Sequence, residues 1–75
     1  MYEKFVEQLK EILEMENTEI QTDDKFREYE KWDSLVALSV IAMMDDEFGV
    51  VISAEDFRKL ITVGDLIDAV KKRMQ

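Results

Sequence analysis

The residue with the clearest chemical potential in this chain is Ser34, which follows Asp33 at the start of the apolar segment in "EKWDSLVALSVIAMM". A serine hydroxyl acts as a nucleophile when a neighbouring base removes its proton. The chain has no His and no Cys, and no lysine lies at a recognisable catalytic spacing from Ser34. A Ser-His pair is therefore excluded. We expect that the chain is not an enzyme and has no catalytic residues.

Two other roles for Ser34 are open from the residues alone. Asp33 and Ser34 are both residue types whose side-chain oxygen caps free N–H groups in the first turn of a helix. Alternatively, Ser34 is a point at which another group is attached, because a helix N-terminus is a favourable place for a phosphate.

The helix predicted after Ser34 is apolar on more than one side. A core-facing stripe at helical spacing comprises Ala37, Val40, Ile41, Met44 and Phe48. The apolar residues that lie off this stripe are Leu35, Val36, Leu38 and Ala42. A helix in so small a protein can hardly be buried all round, so we expect part of the second set to face solvent beside Ser34. Exposed apolar patches of this kind mark contact surfaces.

The elements around Ser34 are also predicted to be helices. Apolar residues at helical spacing indicate a first helix over roughly residues 2–15. A long polar connection over residues 16–33 leads to the second helix, which begins near Ser34 and ends around Phe48, with Gly49 as the stop signal.

Capping boxes predict two further helices. "SAED" at residues 53–56 opens a short third helix through about Leu60, and "TVGD" at residues 62–65 opens the fourth. Residues 50–52 are predicted to be an extended buried connector. The predicted fold class is all-α: one domain over residues 1–75, built as a small four-helix bundle of three longer helices and one short third helix.

Composition limits the classes of partner. The 75 residues carry a net charge of −8, which argues against nucleic acid and anionic membranes. The apolar run from Leu35 to Met44 is too short to span a bilayer, and the N-terminus shows no apolar signal core, so we expect a cytoplasmic monomer. The acidic clusters at residues 23–24 and 45–47 do not have calcium-loop spacing, so we expect solvated faces and no metal site.

Several segments together resemble the acyl carrier protein family. "DSL" at residues 33–35 is similar to the 4′-phosphopantetheine attachment motif of these proteins. "DDEFGV" from Asp45, Ile52, Asp56 and "TVGDLIDAV" from Thr62 follow in the family's order and spacing. The resemblance covers most of the chain, from Phe26 to Val70, and implies the four-helix fold of that family.

The resemblance implies a covalent cofactor. A phosphopantetheinyl transferase would move the 4′-phosphopantetheine arm from coenzyme A onto Ser34, with Asp33 and Leu35 completing the motif. Acyl or aminoacyl intermediates would then be carried as thioesters on the thiol of the arm. The chain would present them to synthase, transferase or ligase enzymes, and it would need neither a His nor a Cys of its own.

The family position also implies two sets of contact residues. Residues that would border an acyl pocket between the helices are Phe26, Val40, Ile41, Met44, Ile52 and Leu60. Partner enzymes are expected to contact Leu35, Val36, Leu38, Ser39, Ala42, Asp45 and Asp46. For each pocket residue the alternative is an ordinary place in the core.

Three residues depart from the fatty-acid-type carriers. Val36 and Ser39 stand where those carriers usually have acidic residues, and Trp32 stands where a small residue is usual. These departures imply different partners. A specialised stand-alone carrier, for a polysaccharide-modifying, polyketide-like or aminoacyl pathway, is at least as well supported as fatty acid biosynthesis. The rival hypothesis is a non-carrier acidic adaptor that binds a partner through the apolar face of the second helix, with Ser34 as a cap.

Overall fold

The computed structural model describes residues 2–74, which form four α-helices and one short 3₁₀ helix. The α-helices are α1 (Tyr2–Leu13), α2 (Ser34–Phe48), α3 (Ala54–Arg58) and α4 (Val63–Arg73), and the 3₁₀ helix is Phe26–Glu28. Within the described residues there is no strand, only an isolated bridge between Lys25 and Thr62. The predicted all-α bundle with a short third helix is confirmed.

The first helix ends earlier than its apolar pattern predicts. Glu14 adopts a left-handed backbone conformation with φ of 58°. Its N–H donates to the Glu11 carbonyl, and the Met15 N–H donates to the Lys10 carbonyl at 2.8 Å. This pair of bonds satisfies the last carbonyls of the helix and reverses the chain. Because the left-handed position holds a glutamate instead of a glycine, no stop signal is visible in the sequence.

One hydrophobic core receives side chains from all four helices. Its most deeply buried side chains include Phe5, Leu9, Val40, Met44 and Leu66. The connector after α2 alternates as an extended segment should: Val50 and Ile52 are buried, whereas Val51 between them is 76% exposed. The predicted extended buried connector is confirmed.

The buried face of α2 is wider than the predicted stripe. All five residues of the stripe lie in the core or pack against it, with Val40 and Met44 fully buried. Met43 is buried as well, and Val36 packs partly against the core, although neither belongs to the stripe. Residues 35–44 are apolar except at Ser39, so helical periodicity alone does not show how far the buried face extends.

The long connection before α2 is tied to the start of α4. The Val63 N–H donates to the Asp24 carbonyl at 2.9 Å, and the Gly64 N–H donates to the Thr22 carbonyl at 2.8 Å. A side chain at Gly64 would bring its Cβ within 3.2 Å of the Thr22 oxygen, so this close approach favours glycine. Ile20 in the same connection is buried in the core.

The two predicted capping boxes differ. Thr62 and Asp65 form a reciprocal box, in which each side chain accepts from the other residue's backbone N–H. The Ser53 hydroxyl accepts from the Asp56 N–H, but the Asp56 carboxylate instead lies 3.7 Å from the Arg73 guanidinium. The Asp65 carboxylate accepts from the N–H groups of Thr62 and Ile61, and these bonds lower the pKa of Asp65.

We predict that Asp65 contributes to stability above its unfolded pKa of about 3.9, and that this contribution is lost as the pH falls through the lower folded pKa. Asp65→Asn should therefore melt at a lower temperature than the unmodified chain at pH 7. This difference in melting temperature should narrow below about pH 4. Melting curves followed by circular dichroism from pH 7 to pH 3 would measure it. Asp68→Asn, at an exposed position of the same helix, is the matched control. A difference in melting temperature that is constant across this pH range would contradict the prediction.

Candidate functional site

Ser34 is the first residue of α2, and Asp33 is the residue that caps this helix. The Asp33 Oδ1 accepts from the Val36 N–H at 2.8 Å, and the Asp33 carbonyl accepts from the Ala37 N–H at 3.0 Å. Of the two capping candidates, the structure thus assigns the role to Asp33. The Ser34 side chain is exposed, so its hydroxyl is available to another molecule.

The surroundings of Ser34 fit an attached phosphate. The hydroxyl lies at the positive end of the α2 dipole, where free N–H groups favour an anion. The first turn of α2 contains no acidic residue. The next residue, Leu35, is 72% exposed and leaves the surface beside the hydroxyl open.

The predicted partner-contact residues separate into three groups. Leu35, Leu38 and Ala42 are exposed on α2, and we call these three residues the apolar patch. Asp45 and Asp46 are exposed near the C-terminal end of the helix. The remaining two, Val36 and Ser39, are half-buried and offer less surface than the sequence pattern suggested.

The six residues predicted to border an acyl pocket lie in or against the core. Phe26, Val40, Met44 and Ile52 are buried, whereas Ile41 and Leu60 are half-buried. The structure does describe a surface groove of about 500 Å³ elsewhere, lined by α1 residues from Tyr2 to Glu11 and by Glu16. None of the six predicted pocket residues lines this groove.

An aromatic cluster immediately precedes Ser34. The rings of Phe26 and Trp32 lie 4.9 Å apart, and both pack against Phe57 of α3. The sequence singles out Phe26 and Trp32 for other reasons but gives no sign of Phe57, because nothing local to "AEDFR" indicates a partner in the distant connection. The cluster fixes the position of the chain just before it enters α2.

A hydrogen bond from Tyr29 to Asp24 stabilises the same connection. The Tyr29 hydroxyl donates to the Asp24 Oδ2 at 2.7 Å. Partial burial, and then this bond to Asp24, raise the pKa of the Tyr29 hydroxyl well above its usual range. The pKa of Asp24 is lowered, first by the N–H of Gln21 and then by Tyr29. The connection is therefore held by polar contacts as well as by burial.

Over residues 2–74 no helix has the length and apolar character needed to cross a membrane. Within the same described part of the chain, no cluster of three or more His, Cys, Asp or Glu residues is arranged to hold a metal ion.

Comparisons with known proteins indicate the family of the chain. The family described as "Phosphopantetheine attachment site" matches residues 3–70. The acyl carrier protein of Rickettsia canadensis (strain McKiel) is 32% identical over 71 residues, covering 95% of this chain and 83% of the relative. The acyl carrier proteins of Rickettsia rickettsii (strain Iowa) and Rickettsia typhi (strain ATCC VR-144 / Wilmington) match with the same identity and coverage.

The chain therefore belongs to the acyl carrier protein family, in which the matched domain is the site of 4′-phosphopantetheine attachment. Membership favours the carrier over the rival hypothesis of an acidic adaptor. Proteins of this family interact with enzymes.

The capping geometry predicts a clear difference between two neighbouring substitutions. Asp33→Ala removes the cap and should lower the free energy of unfolding by about 1 kcal/mol. Ser34→Ala alters an exposed hydroxyl and should change it by less than about 0.5 kcal/mol. Urea unfolding of the two variants and the unmodified chain measures both values. A larger loss in Ser34→Ala than in Asp33→Ala would show that the serine is the cap.

Proposed function

We propose that Ser34 is the residue to which the 4′-phosphopantetheine arm is attached, and that the chain is a carrier without catalytic activity of its own. The observation that supports this most is that Asp33 and Ser34 have different roles at the start of α2. Asp33 caps the helix, so the exposed Ser34 hydroxyl is not needed for capping. Asp33 and Leu35 complete the motif by fixing the helix start and by keeping the adjoining surface accessible.

The attachment step would use an external base. The Ser34 oxygen forms a bond to the phosphorus that carries the pantetheine half of coenzyme A. The pyrophosphate P–O bond breaks, and the adenosine bisphosphate half leaves with the electron pair. A base on the phosphopantetheinyl transferase takes the serine proton. The arm then supplies the thiol on which an acyl or aminoacyl group is held as a thioester.

Partner enzymes are proposed to dock on α2. The apolar patch lies directly beside Ser34 and offers area that a partner could bury. Asp45 and Asp46 offer negative charge at the other end of the helix, and a basic partner surface would associate faster with it. Leu38 and Ala42 contribute apolar surface between these two ends.

The apolar first half of α2 supports a specialised carrier in preference to a role in bulk fatty acid biosynthesis. Such a carrier would act as a single domain in the cytoplasm, with synthase, transferase or ligase enzymes as its partners. Whether the carrier shelters its cargo in an acyl pocket depends on what that cargo is. The residues that would border the pocket are Phe26, Val40, Ile41, Met44, Ile52 and Leu60.

Attachment is tested by intact mass after incubation with coenzyme A and a promiscuous phosphopantetheinyl transferase. The unmodified chain should gain the mass of one arm, and Ser34→Ala should gain none because its acceptor oxygen is absent. Ser39→Ala and Ser53→Ala are matched controls, because each removes another serine hydroxyl and should leave the mass gain intact. A modified Ser34→Ala protein would refute the assignment.

The docking proposal predicts a selective loss in Leu38→Ser. Leu38 is 64% exposed on α2, and full burial of a leucine contributes about 1.5–3 kcal/mol. The substitution should lower kcat/KM for arm transfer by about tenfold, since tenfold corresponds to about 1.4 kcal/mol. Val51→Ser is the control, because Val51 is exposed in the connector outside α2. Equal losses in both variants would contradict docking through the apolar patch.

A further inference from the structure

The aromatic cluster before Ser34 occupies the space between the start of α2 and α3. The Trp32 and Phe57 rings are stacked, with centroids 6.3 Å apart and planes at 9°. Phe26 packs against both, at 4.9 Å from Trp32 and 5.9 Å from Phe57. Phe26 and Phe57 are buried and Trp32 is half-buried, so the indole forms the outer layer of the cluster.

The Arg27 side chain links α3 to the aromatic cluster. Its guanidinium donates to the Phe57 carbonyl at 2.9 Å and also to the Leu60 carbonyl. Phe57 lies in the last turn of α3, and Leu60 lies two residues beyond the end of this helix. The same guanidinium lies 4.7 Å from the centre of the Phe26 ring and 5.6 Å from that of Phe57. One side chain therefore holds both the backbone of α3 and the rings beneath it.

These contacts include residues of the implied acyl pocket. Phe26 is part of the aromatic cluster, and the Leu60 carbonyl is held by Arg27. A long chain that passed from Ser34 into the core between α2 and α3 would have to separate the Trp32–Phe57 stack or displace α3 from Arg27. Short cargo at the end of the arm requires neither change.

We propose that Trp32, Phe57 and Arg27 close the bundle to long acyl chains, so that the cargo is a short acyl or an aminoacyl group held outside the helices. The inference rests on the proposed attachment at Ser34 and narrows its substrate class. A long apolar chain left outside would remain in contact with water, which is unfavourable. A short or charged cargo avoids that cost because it is well solvated at the end of the arm.

The experiment uses the whole chain with an arm on Ser34 that carries either an acetyl or an octanoyl thioester. Each acylated arm is transferred from the corresponding acyl-coenzyme A. Hydroxylamine cleavage of each thioester is followed by intact mass. In the unmodified chain we expect the two rates to agree within about twofold, because neither group enters the bundle. Octanoyl cleavage slower than acetyl cleavage by about tenfold would show that the chain is sheltered, and would overturn the proposal.

Two variants test the residues that form the closure. Trp32→Leu removes the stack and keeps an apolar side chain, so octanoyl cleavage should slow by about tenfold relative to acetyl as the chain gains entry. Phe48→Leu truncates a different aromatic residue, which packs 5.9 Å from Phe5, and should leave the ratio unchanged. An unchanged ratio in Trp32→Leu, or slowing in both variants, would contradict closure by this cluster. Absence of any loading would instead refute attachment at Ser34.

Discussion

The hydrogen bond from the Val36 N–H to the Asp33 carboxylate determines what this molecule presents to other proteins. It fixes the residue at which α2 begins, and it places Ser34 in the first turn with its side chain exposed. Because the neighbouring aspartate caps the helix, attachment of a large group to the serine would not remove the capping hydrogen bond. The same helix start turns Leu35 outward, so the proposed attachment point lies next to exposed apolar surface.

The segment before α2 is well anchored although it contains little regular structure. Its backbone bonds to the start of α4, and the Phe26 side chain lies fully buried among aromatic rings. Tyr29 and Asp24 add a polar contact near the protein surface. A helix start that follows such a segment has a defined position, which suits a carrier whose partners must find one exposed hydroxyl. The contacts of the long connection thus hold the chain in place just before the proposed attachment point.

Much of the fold, including the place of Ser34 at the start of α2, could be predicted from the sequence, and the failures have physical causes. Helix start and stop residues are local signals, and they located both ends of α2 and the start of α4 to within a residue. The end of α1 was misplaced because Glu14 takes a backbone conformation that usually marks a glycine. The buried face of α2 is wider than predicted because residues 35–44, which are apolar except at Ser39, have no polar side to limit it. The contacts of Arg27 with α3 join distant parts of the chain, so no local pattern indicates them.

The proposed function depends most on which atom carries the arm. The most direct measurement is fragmentation mass spectrometry of the carrier isolated from cells that contain an active phosphopantetheinyl transferase, with the arm located along the sequence. We predict that the arm is found on Ser34, in the peptide that also contains Asp33 and Leu35. An arm located on Ser39 or Ser53, or a protein that carries none in such cells, would contradict the account.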